Sequence, residues 1–128
     1  MLDLVKDKRI KVAIIGATNN SSKYGYKIYK NLLSKGYSVT PINPKETIIE
    51  GIETIPSVLE MSSKPNIIDF VVPPSIALSE AKLLEENGYN NFWFQPGSES
   101  DALIKYLENT NLNYVINQCI MVETESVK

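Results

Sequence analysis

The chain has 128 residues, 43% of them hydrophobic, and its formal net charge is −2 at pH 7. This length and apolar content predict a single folded domain over residues 1–128 and exclude a disordered chain. The basic residues are scattered along a nearly neutral chain. We therefore expect neither nucleic acid nor a membrane surface as the main partner.

The residue inventory narrows the chemistry further. The chain has no histidine, which is the commonest general base and the commonest metal ligand, so we expect no metal site. Its single cysteine, Cys119, permits no internal disulfide and fits a reducing compartment. No apolar run approaches the roughly 20 residues of a membrane span, and the start does not have a signal-peptide pattern. A cytoplasmic protein is therefore expected.

Strand and helix patterns alternate along the sequence. Apolar runs predict five strands, at residues 10–15, 38–42, 67–72, 91–95 and 113–116. Periodicity and end signals predict helices at residues 24–35, 56–61, 75–87 and 98–110, with Ser75 and Ser98 as N-caps. The alternation predicts an α/β fold: a Rossmann-like three-layer sandwich whose five-stranded parallel sheet has the order 3-2-1-4-5.

A small, polar loop at residues 16–23 joins the first predicted strand directly to the first predicted helix. Free N–H groups and the helix dipole favour an anion at such a helix start. Ligands of parallel sheets bind beyond the carboxyl ends of the strands. The sequence therefore predicts a phosphate-bearing small molecule at this point, in a site shared with the segments that follow the other strands.

Two features bear on which phosphate ligand binds. The loop begins Gly16-Ala17-Thr18-Asn19 and lacks the second and third glycines of the dinucleotide fingerprint, which serve pyrophosphate approach and helix packing. The second strand leads into Asn43 and Lys45, where an NAD site needs an acid. A lysine there suits a phosphate on the ribose, which NADP carries on the 2′ oxygen and coenzyme A on the 3′ oxygen.

Several short segments together carry a family resemblance, in their order and spacing. They are residues 12–19; Lys23 with Tyr26; Gly36, Tyr37, Val39 and residues 41–44; Gly51 with Pro56 and Ser57; Ile68 and Asp69; residues 93–95 with Gly97; and Cys119 with Val122 and Glu123. The chain resembles, over about residues 8–123, the small CoA-binding domain proteins. These share the fold of the N-terminal CoA-binding domain of the succinyl-CoA synthetase alpha subunit.

The resemblance implies a cofactor, coenzyme A or an acyl-CoA, and a set of residues that hold it. The pyrophosphate would lie at the first loop, and the ribose with its 3′ phosphate after the second strand. The third strand end would wall the adenine, and the fourth would face the pantetheine arm. In that order the residues are Gly16, Ala17, Thr18, Asn19 and Lys23, with Tyr24 beside them; Asn43 and Lys45; Val72, Pro73 and Pro74; Gln95 and Gly97.

The expected function is non-catalytic binding of coenzyme A or an acyl-CoA, because no set of catalytic residues is recognisable. Two alternatives stay open. One is an NAD(P)-binding domain of the oxidoreductase type. The other is an interaction subunit whose nucleotide site is vestigial. The sequence leaves the oligomeric state and a redox role of Cys119 undetermined.

Overall fold

A five-stranded parallel sheet lies at the centre of the computed structural model, which describes residues 1–125. The strands are β1 (Lys11–Ile15), β2 (Ser38–Ile42), β3 (Ile48–Ile49), β4 (Ile52–Glu53), β5 (Ile67–Phe70), β6 (Asn91–Phe94) and β7 (Asn113–Val115). The helices are α1 (Tyr24–Ser34), α2 (Pro74–Glu86), α3 (Asp101–Glu108) and α4 (Ile120–Glu123), with 3-10 turns at Leu4–Lys6 and Val58–Glu60. Strands β3 and β4 form a separate antiparallel hairpin.

Helices cover both faces of the sheet, as two-sided burial of a parallel sheet requires. On one face, Leu32 of α1 and Ile120 of α4 belong to a single buried cluster. On the other face, Leu84 of α2 and Leu107 of α3 belong to a second cluster. Burying each such leucine contributes about 1.5–3 kcal/mol. The predicted fold class, an α/β Rossmann-like three-layer sandwich, is confirmed.

The position of one strand differs from the prediction. The sheet order is β2-β1-β5-β6-β7, so the third strand of the sheet, β5, pairs with β1 and does not lie outside β2. The reason lies in β2 itself. The carbonyl of Pro41 accepts the N–H of Ile55 at 3.0 Å, on the side of β2 away from β1. The missing N–H of Pro41 therefore faces outward, which suits an edge strand and not an interior one.

The helix starts also correct two predicted N-caps. Helix α2 begins at Pro74, so Ser75 lies inside its first turn. Helix α3 is capped by Ser100, whose side chain accepts the N–H of Leu103 at 3.1 Å. Ser98 is buried, and its hydroxyl donates to the carbonyl of Phe70 at the end of β5, at 3.1 Å.

A carboxyl group is buried in the middle of the sheet. Asp69 of β5 lies opposite Ile14 of β1 and Trp93 of β6, and its exposed fraction is 0%. Among residues 1–125, neither of its carboxylate oxygens has a hydrogen-bond partner. Burial disfavours the charged form, so the pKa of Asp69 is raised well above its ordinary value.

This burial makes the folding stability depend on pH in a defined direction. The unfolded carboxyl titrates at about pH 4, whereas the folded one holds its proton to a higher pH. Above about pH 4 the native state binds more protons than the unfolded chain, so the free energy of unfolding falls as the pH rises. The fall is at most about 1.4 kcal/mol per pH unit, and it ends once the pH passes the folded pKa.

We predict that Asp69→Asn removes this pH dependence, because the amide does not titrate. The stability of the variant relative to the parent should therefore increase between pH 4.5 and pH 8, as measured by urea unfolding. Asp3→Asn, at an exposed position, is the matched control and should leave the difference constant. A difference for Asp69→Asn that stays the same across this range would contradict the assignment.

Candidate functional site

A cavity of about 760 Å³ opens at the carboxyl edge of the sheet, where β1, β2, β5 and β6 end. Its volume lies in the range of small-molecule sites, about 300–1,000 Å³. Most of the sequence-predicted residues line it. They are Gly16, Thr18, Lys23, Tyr24, Asn43, Lys45, Val72, Pro73, Gln95 and Gly97.

Three predicted residues lie outside the lining. Ala17 is completely buried in the core. Asn19 uses its side-chain amide to hold the β3–β4 hairpin: its Nδ2 donates to the carbonyl of Ile48, and its Oδ1 accepts the N–H of Glu50 at 3.0 Å. Pro74 is the first residue of α2.

Backbone contacts fix the loop between β1 and α1. Gly16 has a φ of +99°, and a Cβ there would lie 2.1 Å from the carbonyl oxygen of Val71. A Cβ on Gly25, inside α1, would lie 2.0 Å from the carbonyl oxygen of Gly16. The loop lacks the third glycine of the dinucleotide fingerprint, which serves close helix packing. Gly25 supplies that contact from a later position than the fingerprint places it.

The same loop leaves a backbone donor free. The N–H of Gly16 donates to the carbonyl of Ile42, at 3.2 Å, and is therefore not free. Within the part of the chain that the structure describes, Thr18 lines the cavity and its N–H has no protein partner. Helix α1 begins further along the loop, at Tyr24, and has no side-chain cap at Lys23. An unpaired N–H and an uncapped helix start attract an anion, so a ligand oxygen here would satisfy a donor that the protein leaves open.

Sequence reasoning missed an acid in this site. Glu46 lines the cavity, and its carboxylate joins the two loops that follow β1 and β2. Oε1 accepts the N–H of Asn19 at 3.1 Å, and Oε2 accepts Nδ2 of Asn43 at 2.9 Å. The hydroxyl of Thr18 and the N–H of Asn19, with a smaller contribution from Lys23, hold the pKa of Glu46 below its ordinary value. The end of β2 therefore does carry an acid, one residue beyond the segment that the prediction considered.

Asn43 is the centre of this junction, and its side-chain amide is fully used. Nδ2 donates to the carbonyl of Ala17 at 2.8 Å as well as to Glu46. Oδ1 accepts the N–H groups of Lys45 and Glu46, at 2.8 and 3.0 Å. Two donor hydrogens and two acceptor sites are the whole capacity of an amide. Asn43 therefore builds the site and has no group left for a ribose.

The opposite wall is held by Gln95, whose exposed fraction is 4%. Its Nε2 donates to Sγ of Cys119 at 3.3 Å, and its Oε1 accepts the N–H of Ile120 at 3.0 Å. The side chain of Gln95 thus fixes the start of α4. Cys119 is a free, half-buried thiol on the cavity wall.

Ser98 closes the wall beside β5. Its hydroxyl accepts the N–H of Val72 at 3.1 Å and donates to the carbonyl of Val72 at 2.6 Å.

Among residues 1–125, no group of three or more His, Cys, Asp or Glu side chains is placed to hold a metal ion. Over the same residues, none of the helices combines the length and the apolar character of a membrane span.

The sheet, the loop after β1 and the cavity at the carboxyl edge define a Rossmann-like ligand-binding domain. Residues 10–125 match the family described as CoA binding domain, and the chain belongs to that family.

The relatives include parts of larger enzymes. The chain is 42% identical over 77 residues to acetate–CoA ligase [ADP-forming] of Methanocaldococcus jannaschii, covering 60% of this chain and 10% of the ligase. It is 36% identical over 63 residues to the acetate–CoA ligase [ADP-forming] II alpha subunit of Pyrococcus furiosus, covering 48% of this chain and 14% of the subunit. The chain therefore spans only a small part of the length of these relatives.

A solved structure matches the fold more completely. It is a conserved hypothetical protein from Pyrococcus furiosus, 45% identical, with a TM-score of 0.86. The match covers 90% of this chain and 99% of the other.

The saturated amide of Asn43 yields a prediction about stability. Asn43→Asp replaces two donors by a carboxylate that faces the carbonyl of Ala17 and the carboxylate of Glu46. We expect a loss of about 2 kcal/mol in the free energy of unfolding at pH 7, as measured by urea unfolding. Asn109→Asp is the control, because its exposed Nδ2 makes one bond, to the carbonyl of Lys105. Equal losses in the two variants would show that the side-chain bonds of Asn43 stabilise the fold no more than the single bond of an exposed asparagine.

Proposed function

We propose that this domain binds coenzyme A or an acyl-CoA, without catalysing a reaction, in the cavity at the carboxyl edge of the sheet. The observation that carries the proposal is the loop between β1 and α1. There, the unpaired N–H of Thr18 and the uncapped start of α1 lie beside a cavity of about 760 Å³. This arrangement suits a pyrophosphate.

The charges around the cavity support the proposal. Lys23 stands immediately before α1 and lines the cavity, where its ammonium group would meet the pyrophosphate. Lys45 follows β2 and is exposed, with its backbone N–H held by Asn43. Its side chain would meet the 3′ phosphate of the ribose as a point charge.

The remaining walls suit the uncharged parts of the ligand. Val72, Pro73 and Ile76 offer apolar surface on which an adenine would lie. Gln95 and Gly97 line the far side, along the path proposed for the pantetheine arm. The ADP-forming ligases among the relatives are named for CoA, which supports the choice of ligand. Since the chain has no histidine and spans a small part of those ligases, the proposal is limited to binding.

Glu46 favours a second candidate, an NAD site. An acid near the end of the second strand is the group that holds the ribose hydroxyls of NAD in dinucleotide-binding sheets. The loop after β1 argues against this candidate, because it lacks the glycine that lets a backbone approach the pyrophosphate of a dinucleotide.

Thermal unfolding with CoA, acetyl-CoA, NAD and NADP separates the two candidates. We expect CoA and acetyl-CoA to raise Tm, since a ligand at 100 times its Kd stabilises the native state by about 2.7 kcal/mol. NAD and NADP at the same concentrations should have no effect. Stabilisation by NAD alone would replace the first candidate by the second, and no stabilisation by any of the four would reject both.

Lys45→Glu tests the place of the 3′ phosphate. We expect the Kd for CoA to rise about tenfold, because a favourable charge pair becomes a repulsive one. The Kd for dephospho-CoA, which lacks that phosphate, should rise less than about threefold. Lys6→Glu, an equal charge change at an exposed residue that does not line the cavity, is the control. Calorimetric titration measures the six constants, two ligands with the parent and with each variant, and equal losses for both ligands in Lys45→Glu would remove Lys45 from this role.

A further inference from the structure

We propose that Glu46 determines nucleotide selectivity in this cavity: its carboxylate accepts a hydrogen bond from the 2′-hydroxyl of a ribose whose phosphate is on the 3′ oxygen. The inference rests on the proposed function, because a CoA nucleotide has that ribose. Beyond that function, the inference assigns to Glu46 the recognition of the 2′-hydroxyl and the exclusion of a phosphate at that oxygen.

The position of Glu46 is determined by the protein and not by a ligand. Its two oxygens are held by donors from different loops, the N–H of Asn19 and Nδ2 of Asn43. The residue is half-buried and lines the cavity. The carboxylate is thus preorganised at the cavity wall, so a ligand that meets it does not have to order the side chain.

The chemistry of this group limits what it can meet. An ionised carboxylate accepts hydrogen bonds and donates none, and its two oxygens offer about four acceptor sites. The bonds to Asn19 and Asn43, together with the hydroxyl of Thr18, take up three of these sites and leave one. The ligand atom that faces Glu46 must therefore be a donor. A phosphate oxygen there would meet like charge in a partly desolvated place.

Other groups nearby do not compete for this role. Asn43, the residue that the sequence assigned to the ribose, has no free donor or acceptor on its side-chain amide. Lys45 is the adjacent residue and is a cation, so it suits a phosphate. A ribose with one hydroxyl and one phosphate on neighbouring oxygens presents a donor and an anion side by side. Glu46 and Lys45 present the complementary acceptor and cation.

The regioisomers 3′,5′-ADP and 2′,5′-ADP make the sharpest probes, since they have the same composition and differ only in which ribose oxygen bears the phosphate. We expect the parent protein to bind 3′,5′-ADP at least about tenfold more tightly than 2′,5′-ADP in calorimetric titration. In Glu46→Gln the ratio of the two Kd values should fall below about threefold, chiefly through tighter binding of 2′,5′-ADP.

The ratio separates selectivity from general damage, because a loosened loop weakens both isomers alike and leaves the ratio unchanged. Glu53→Gln, an exposed acid on β4 that does not line the cavity, is the control and should keep the parental ratio. Glu46→Ala is a second variant, with the same expected collapse of the ratio. Thermal unfolding without ligand establishes that each variant is folded.

Three results overturn the inference while the proposed function stands. The first is CoA binding by a parent protein that does not discriminate between the isomers. The second is a parental preference for 2′,5′-ADP in a protein that binds CoA. The third is a parental ratio that persists in both Glu46 variants. If the parent binds neither CoA nor 3′,5′-ADP, the proposed function fails and the inference fails with it.

Discussion

The structure of the site depends on one close backbone contact, between the end of β1 and the first turn of α1. The carbonyl oxygen of Gly16 occupies the space that any side chain at Gly25 would need, and Gly16 itself lies against the carbonyl of Val71. Only glycines permit the three chain segments to approach so closely. The contact sets the start of α1 at the sheet edge, which is why the uncapped helix start and the cavity occur at the same place.

A second set of contacts, made by side chains, sets the other rim of the cavity. The amides of Asn19 and Asn43 and the carboxylate of Glu46 connect the loop after β1, the end of β2 and the β3–β4 hairpin. Tyr26 of α1 extends this connection, because its hydroxyl donates to Glu50 at the hairpin turn, at 2.6 Å. Polar groups that would otherwise lose solvation are each given a partner, so the rim is ordered before any ligand arrives.

The fold class was predictable from the sequence because apolar runs and helix signals alternate, and both report mainly local preferences. The order of the strands was not predictable, since it depends on which strands pair across long stretches of sequence. Pro41, inside the predicted second strand, was the available signal for an edge strand, because proline has no N–H to pair. Most residues assigned to the site do line the cavity, because the carboxyl ends of parallel strands meet there. That they bind CoA stays a prediction.

Two of the three misjudged residues in the site make contacts between distant segments. The amide of Asn43 was assigned to a ligand, but it donates to the carbonyl of Ala17, far away in sequence, besides its local bonds to Lys45 and Glu46. Gly25 lies against Gly16, whereas the fingerprint expects the packing glycine earlier. A sequence pattern gives no information on such contacts. Glu46 was missed for a local reason: the predicted segment ended at Lys45, and the turn at Asn43 brings the next side chain into the cavity.

The outer side of β2 has a consequence for how the molecule meets its own copies. A parallel sheet that ends in an open strand offers a row of backbone groups to which a strand of another molecule can add. Here Ile55 already pairs with the carbonyl of Pro41 and the N–H of Asn43, and the proline ring removes the donor that would precede them along the strand. At the opposite edge, β7 has only three residues. Both margins of the sheet are thus poor templates for intermolecular strand addition, which protects the folded chain against aggregation.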